Sequence, residues 1–187
     1  MIKKIMDGDR HAATLLIRHT EKLVAQIVFK MTGNHPDRKD LIQDIYLKTF
    51  RYLPRFRFQC KLSTWVAQIS YTTCLDHLKK YRPELIAIPA DDESLPGNIS
   101  TAKISREALD AGELLSVKER SEILERLNAA LPPVYRTLIT LFHKEELSIE
   151  EITDITGLPT GTVKSYLFRA RKVLKERLLY QYSKEDI

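Results

Sequence analysis

Apolar residues recur at i, i+3 and i+4 spacing through most of the chain, the period of helices that each bury one face. Between Asp9 and Met31 the row is Ala12, Leu15, Leu16, His19, Leu23, Ile27 and Val28, broken by Gly33, Asn34 and Pro36. A second helix is predicted from Asp37 to Tyr52, with Leu41, Ile42 and Ile45 inward and Pro54 ending it. A third starts near Ser63, read as its N-cap, and runs through Trp65, Val66 and Ile69 to Tyr81, where Pro83 stops it. From Glu84 to about Leu115 the period dissolves among Pro89, Pro96, Gly97 and Asn98, which reads as a tether with room for a short helix around Ser105 to Leu109. The pattern resumes near Val117. A helix over Lys118 to Leu131 puts Ile123, Leu124 and Leu127 on one side, and Pro132-Pro133 open the next, with Val134, Leu138, Ile139, Leu141 and Phe142.

The segment from Ser148 onward is more specific. Ser148 with Glu151 forms a capping box, so a helix starts there with Ile149, Ile152 and Ile155 on its apolar side. Gly157 suits a left-handed C-cap, Leu158 plugs the core, and Pro159-Thr160 lead into a longer helix. Its buried stripe is Val163, Leu167, Ala170, Leu174 and Leu178. A short helix, a glycine turn and a basic helix make a helix-turn-helix. The outward side carries Ser165, Phe168, Arg169 and Lys172, flanked by Thr162, Lys164, Tyr166 and Arg171. Arg169 suits a guanine edge and Phe168 a thymine methyl, while Lys164, Arg171 and Lys172 suit phosphates. A solvated basic face on an ordinary bundle is the plain alternative, and an exposed Phe168 argues against it.

Composition supports an all-α reading. The 187 residues include six glycines, with 43% hydrophobic and 29% charged positions. Length and pattern together give two small helical domains. The boundaries expected are residues 1–83, an acidic flexible linker over 84–116, a second domain over 117–180 and a tail over 181–187. The net charge of +5 is modest, but its distribution is uneven. From Lys48 to Arg82 eight cations face the lone acid Asp76; from Thr160 to Arg177 six face Glu176; between them acids dominate, including Asp91, Asp92 and Glu93. The N-terminus has no apolar signal region and no run nears the roughly 18 apolar residues of a membrane span, so a cytoplasmic protein without membrane insertion is expected. Cys60 and Cys74 lack a CxxC pattern and read as reduced structural thiols, with a redox switch as the minor alternative. His11, His19, His35, His77 and His143 make no ligand spacing with either cysteine, and no P-loop or carboxylate metal constellation appears. No catalytic residue, metal or cofactor is expected.

On the helix from Asp37, the residues Asp40, Gln43, Asp44 and Leu47 form a mostly polar stripe. Periodicity alone reads it as a solvated face; its acids would repel DNA but suit a basic partner protein. The loop from Leu53 to Leu62 interleaves Phe56 and Phe58 with Arg55, Arg57 and Lys61. Such a loop either contributes aromatic core or offers unstacked bases a stacking platform and charge for the backbone. Trp65 and the Lys79-Lys80-Arg82 end extend that path.

These stretches carry a family resemblance. DLIQDIYLKTF, FRFQCKLSTWVAQI and DHLKKYR resemble region 2 of bacterial sigma-70 family factors of the extracytoplasmic-function group, and LPPVYRTLITLFHKEELSIEEITDITGLPTGTVKSYLFRARKVL resembles the four-helix region 4. The resemblance implies an alternative sigma factor that joins core RNA polymerase and directs promoter-specific initiation. It implies docking on the β′ clamp helices through Asp40, Leu41, Gln43, Asp44 and Leu47, with region 4 at the β flap. It implies melting and holding of the −10 element by Arg55, Phe56, Arg57, Phe58, Gln59, Lys61, Trp65, Thr72, Asp76, Lys79 and Lys80. Readout of the −35 duplex falls to Thr162, Lys164, Ser165, Tyr166, Phe168, Arg169, Arg171 and Lys172, and an anti-sigma factor is an implied partner.

The chain departs from the family at informative places. Phe58 and Gln59 stand where members often have Gly and an acidic residue, Thr72 replaces a common Asn, and Ser165-Tyr166 replaces a frequent Ser-Arg pair. The competing class is a helix-turn-helix regulator that binds an operator without joining polymerase. The segment from Asp40 to Leu47 separates the two readings, since such a regulator has no need of it.

Overall fold

A computed structural model describes residues 2–33, 36–85 and 117–185. Among these residues every regular element is a helix. The short α1 (Ile2–Met6) precedes α2 (Arg10–Thr32), whose first turn is capped by the Asp9 carboxylate accepting from the backbone N–H of His11 at 2.9 Å and Ala12 at 3.1 Å. Those hydrogen bonds, the one from Ala12 first, hold the Asp9 carboxyl below its ordinary pKa. α3 (Arg38–Tyr52) follows, and Pro54 tightens the chain into a 3-10 turn over Leu53–Arg55.

α4 (Leu62–Tyr81) starts one residue earlier than Ser63, with Lys61 at the N-cap position and no side-chain cap. Ser63 is therefore inside the helix. A second 3-10 turn covers Pro83–Leu85. The rest of the linker expected over 84–116, with the short helix around Ser105 to Leu109, lies outside the described residues.

The second half comprises α5 (Val117–Ala129), α6 (Pro133–His143), α7 (Ile149–Thr156) and α8 (Thr160–Glu185). α8 continues through residues 181–185, where a tail was expected.

The amphipathic patterns hold with two local exceptions: Leu124, expected on the apolar side of α5 with Ile123 and Leu127, is 52% exposed, and His19 leaves its expected inward row. His19 faces outward, its Nδ1–H donating to Leu15 O at 2.7 Å, while the neighbouring Thr20 takes the inward position. Thr20 Oγ1 donates to Leu16 O at 2.8 Å and lies 3.1 Å from the Tyr46 hydroxyl, so the polar groups at this α2–α3 contact are satisfied.

The two halves share one apolar core. Leu16, Ile27 and Met31 of α2, Ile45 of α3 and Val66, Tyr71 and Cys74 of α4 belong to the same cluster as Leu138 and Leu141 of α6, Ile152 and Ile155 of α7, and Leu167 of α8. α6 lies against α2, and α7 lies against α4. Polar contacts edge this junction. The Arg136 guanidinium donates to the carbonyls of Lys30 and Met31 at the end of α2, and at 3.0 Å to Ala129 O of its own half. These carbonyls belong to the last turn of a helix and have no partner within it, so a side chain from the other half acts as their cap. Lys30, only 3% exposed, pairs with Glu125, which also meets Lys144 at 3.3 Å. Lys22 and Glu145 pair at 3.4 Å, and Lys61 and Glu151 at 2.8 Å.

Candidate polymerase and nucleic-acid interfaces

Three surfaces collect the side chains singled out in the sequence. On α3, burial of Leu41, Ile45 and Thr49 turns Asp40, Gln43, Asp44 and Leu47 to solvent. Leu47, a large apolar side chain 60% exposed, sits at the end of that acidic row. Leu41 does not share it. At 5% exposure it is core, because it lies on the opposite side of the helix from Gln43.

The second surface is the loop between the 3-10 turn and α4, continued along α4. Phe56 is its centre, with the Phe58 ring 4.9 Å away and the Trp65 ring 5.2 Å away. Arg55, Arg57, Gln59 and Lys61 are exposed around these rings, and the Arg55 guanidinium lies 5.9 Å from the Tyr52 ring. Phe58 is 74% exposed and has φ 56°, the left-handed backbone region that a bulky residue rarely occupies. Glycine occupies this conformation without penalty, which gives the Phe58 departure a physical meaning: the loop keeps a glycine-like backbone and adds a ring.

Farther along α4, Thr72, Asp76, Lys79 and Lys80 are exposed, and Thr72 Oγ1 donates back to Gln68 O at 2.9 Å. Gln68 itself belongs to this face and was missed in the sequence; its spacing from Thr72 at i, i+4 was the available signal.

A polar recess of about 320 Å3 opens here, lined by Arg55, Arg57, Gln59, Trp65 and Gln68, with Phe56 and Cys60 at its wall. Its remaining side is Asp154 of α7. Burial, and then the Asp154 charge, raise the Cys60 thiol above its ordinary pKa. Burial pushes the Cys74 thiol up to about 12, which makes it an inert core residue.

The third surface is the helix-turn-helix. Ser148 Oγ accepts from Glu151 N at 3.1 Å and Glu151 Oε2 accepts from Ser148 N at 3.0 Å, the expected capping box. Gly157 at φ 70° ends α7, its N–H bonded to Thr153 O at 2.8 Å. Val163, Leu167 and Ala170 are buried as expected, joined by Val173.

Outward stand Lys164, Arg171 and the 65%-exposed Phe168, with Thr162, Ser165, Arg169 and Lys172 half-buried beside them. Tyr166 departs from its expected place: its ring packs 5.2 Å from Tyr135, inside the module. Arg171 is also engaged at home, its Nε donating to His143 Nε2 at 3.1 Å and its guanidinium 5.1 Å from the Phe142 ring. Partial burial, then the Arg171 charge, lower the His143 pKa, consistent with a neutral ring accepting that bond.

Comparison with known proteins places these surfaces in a family. The model described as Sigma-70 region 2 matches residues 16–84, and that described as Sigma-70, region 4 matches residues 121–174, together more than half of the 187-residue chain. The chain is 27% identical to the ECF RNA polymerase sigma factor SigW of Bacillus subtilis, over 95% of this chain and 94% of that protein. It is 28% identical to the ECF RNA polymerase sigma-E factor of Escherichia coli, over 95% of this chain and 92% of that protein.

Among solved structures, CnrH in complex with the cytosolic domain of CnrY superposes with a TM-score of 0.60 at 19% identity, covering 95% of this chain and 94% of that one. The sigma factor RpoE of Bartonella quintana, in complex with the anti-sigma factor NepR, superposes with a TM-score of 0.57 at 22% identity, covering 91% and 96%. These two show the common fold. With both family regions matched in order on a chain whose described elements are all helical, the protein belongs to the sigma-70 family, in its extracytoplasmic-function group.

Proposed function

We propose that this alternative sigma factor divides promoter-specific initiation among its three surfaces, with residues 1–83 docking and opening and residues 117–180 reading duplex. Asp40, Gln43, Asp44 and Leu47 of α3 dock on the β′ clamp helices of core RNA polymerase. An acidic rim with one exposed leucine suits a basic, partly apolar partner and would repel DNA. The loop and the α4 face hold melted −10 DNA through stacking on Phe56, Phe58 and Trp65 and charge from Arg55, Arg57, Lys61, Lys79 and Lys80. Gln59, Gln68, Thr72 and Asp76 supply hydrogen-bonding groups along the same path. Phe168 and Arg169 read the −35 major groove, with Lys164 and Lys172 on phosphates. Region 4 also meets the β flap, and an anti-sigma factor restrains the free protein.

No chemistry is assigned to the chain itself. Sigma factors are initiation factors, and here binding energy at two DNA elements favours opening by the polymerase that carries the catalytic site. The work is cytoplasmic; no helix among the described residues is long and apolar enough to cross a membrane.

The observation that carries this reading is the exposed acidic face of α3 beside a basic aromatic loop on a chain that also bears a helix-turn-helix. An operator-binding regulator has no use for the first two, and that reading is not favoured. The test is reconstitution: sigma-free core polymerase with this protein on a genomic promoter library. Promoter-dependent initiation is expected, and Asp44→Arg is expected to weaken core binding while leaving −35 duplex binding by the chain intact. A protein that shifts duplex DNA but neither binds core nor directs initiation would return the regulator reading.

A further inference from the structure

A second recess adjoins the polar one and shares Phe56 and Cys60 as its wall. It measures about 460 Å3 and is otherwise lined by Ile2, Lys3, Phe58 and Leu62. Where the polar recess is closed by Asp154 of the other half, this one is built from the first half alone.

Its chemistry differs as well. The walls are aromatic and aliphatic, and Lys3, Arg57 and Lys61 are exposed on α1 and the loop. Phe58 is the costly part. A phenylalanine at φ 56° with 74% of its surface in water gains little from burial and bears the strain of a left-handed backbone. Neither folding nor solubility favours a ring there.

We propose that two neighbouring unpaired bases of the melted promoter strand are held here, one in the polar recess and the second in this one, with Phe58 as the second base's stacking platform and Ile2 of α1 in its wall. The inference rests on the assignment of this loop to melted −10 DNA. It adds a site and a partner element, α1, to that assignment. The occupant is a nucleobase because the walls offer flat apolar faces and no buried polar group, while the surrounding cations suit the phosphates on either side. Stacking discriminates bases weakly, so the site grips a position more than it reads one.

The test uses holoenzyme reconstituted with the full chain and a promoter it initiates from, with single abasic sites placed through the −10 strand. In the wild type, abasic substitution at two neighbouring positions is expected to slow opening. Phe58→Gly keeps the backbone conformation while removing the ring, so it is expected to fold at least as stably and to slow opening roughly tenfold, about the weight of one base–aromatic stack. With Phe58→Gly, one of the two positions should lose its abasic effect and the other keep it. Ile2→Trp, which fills the recess from α1, should reproduce that selective loss. One sensitive position in the wild type, or a Phe58→Gly defect that an abasic site compounds equally everywhere, overturns the second site while the −10 assignment stands. Failure of the wild-type chain to initiate at any promoter overturns both.

Discussion

The two proposed nucleic-acid surfaces are both basic and both carry an exposed phenylalanine, yet they stand differently in the free chain. On α8, Lys164 and Phe168 face solvent, and among the described residues no side chain of the first half is paired with them. On the loop and α4, the helix α7 lies alongside: Glu151 holds Lys61 at 2.8 Å and Asp154 lines the polar recess between Arg55, Arg57 and Trp65. Carboxylates thus face the cations that, on the proposed assignment, would hold phosphates of a melted strand. On the same proposed assignment the duplex-reading surface is presented ready-made, whereas the strand-capturing surface would first have to part from the other half of its own molecule.

The largest expected effect comes from the edge of the junction held by Lys30 and Glu125. Lys30 is buried and has Glu125 as its counter-charge. Burial pushes the Glu125 carboxyl up, but the hydrogen bond and charge of Lys30, then those of Lys144, outweigh it and hold the group below its ordinary pKa. Glu125→Lys sets a like charge against a buried ammonium. Breaking a fully buried pair costs about 3–5 kcal/mol, and Glu125 is half-exposed, so a loss of about 2 kcal/mol in the packing of the halves is expected. Cys60 reports it: beside Asp154, its alkylation should speed up at least tenfold, while Cys74 in the core stays protected, which separates opening from unfolding. The exchange Lys30→Glu with Glu125→Lys should recover slow alkylation. If Cys60 reacts at the wild-type rate in Glu125→Lys, the halves are not held by this edge.

Next in size is Arg169→Ala, which tests the open side of the comparison. Discrimination at one −35 base pair is expected to fall by about 1–3 kcal/mol, read by competition among duplexes, with Cys60 alkylation unchanged. Arg171→Ala should behave differently. Its guanidinium already bonds His143 and lies over Phe142, so thermal stability is expected to drop by about 1 kcal/mol and sequence preference to hold.

The contrast also separates what the sequence shows from what it hides. The capping box of Ser148 and Glu151 and the left-handed Gly157 are legible because each depends on residues within one turn of chain. The helical faces are nearly as legible, and Leu41 is inward as its spacing has it; carrying a contiguous family motif over whole is what misplaces Leu41 and Tyr166, which pack against the core. Arg136 over the carbonyls of Lys30 and Met31, and Lys61 against Glu151, join residues far apart in the chain, and no local pattern announces them. Phe58 lies between these cases. The departure from glycine is visible in the sequence, but its left-handed backbone and exposure come only from the fold.

The smallest effect isolates the contact at the capturing loop itself. Glu151 serves two partners, the Ser148 N–H through Oε2 and Lys61 through Oε1. Glutamine also completes a capping box, so Glu151→Gln keeps the cap and removes the charge that holds Lys61. Exposed pairs of this kind contribute about 0.2–1 kcal/mol, so the free variant should bind a single-stranded −10 oligonucleotide about two- to fivefold more tightly at low salt. In 1 M salt, where the Debye length is about 3 Å, the difference should vanish.

Proton linkage gives an independent reading of the same pair. The Lys61 hydrogen bond, and then the Ser148 backbone bond, hold the Glu151 carboxyl below its ordinary 4.5. A depressed carboxylate contributes fully above its unpaired pKa, and that contribution fades as pH falls through the lowered value. The closed arrangement should therefore loosen in acid below about pH 4.5, seen as faster exchange between the halves in a fluorescence-transfer pair, and Glu151→Gln should remove part of that dependence. Glu125, also held below its ordinary pKa, adds to the dependence in the same direction. An acid response identical in Glu151→Gln and wild type would mean that Glu151 shields the loop by occupying space and not by charge.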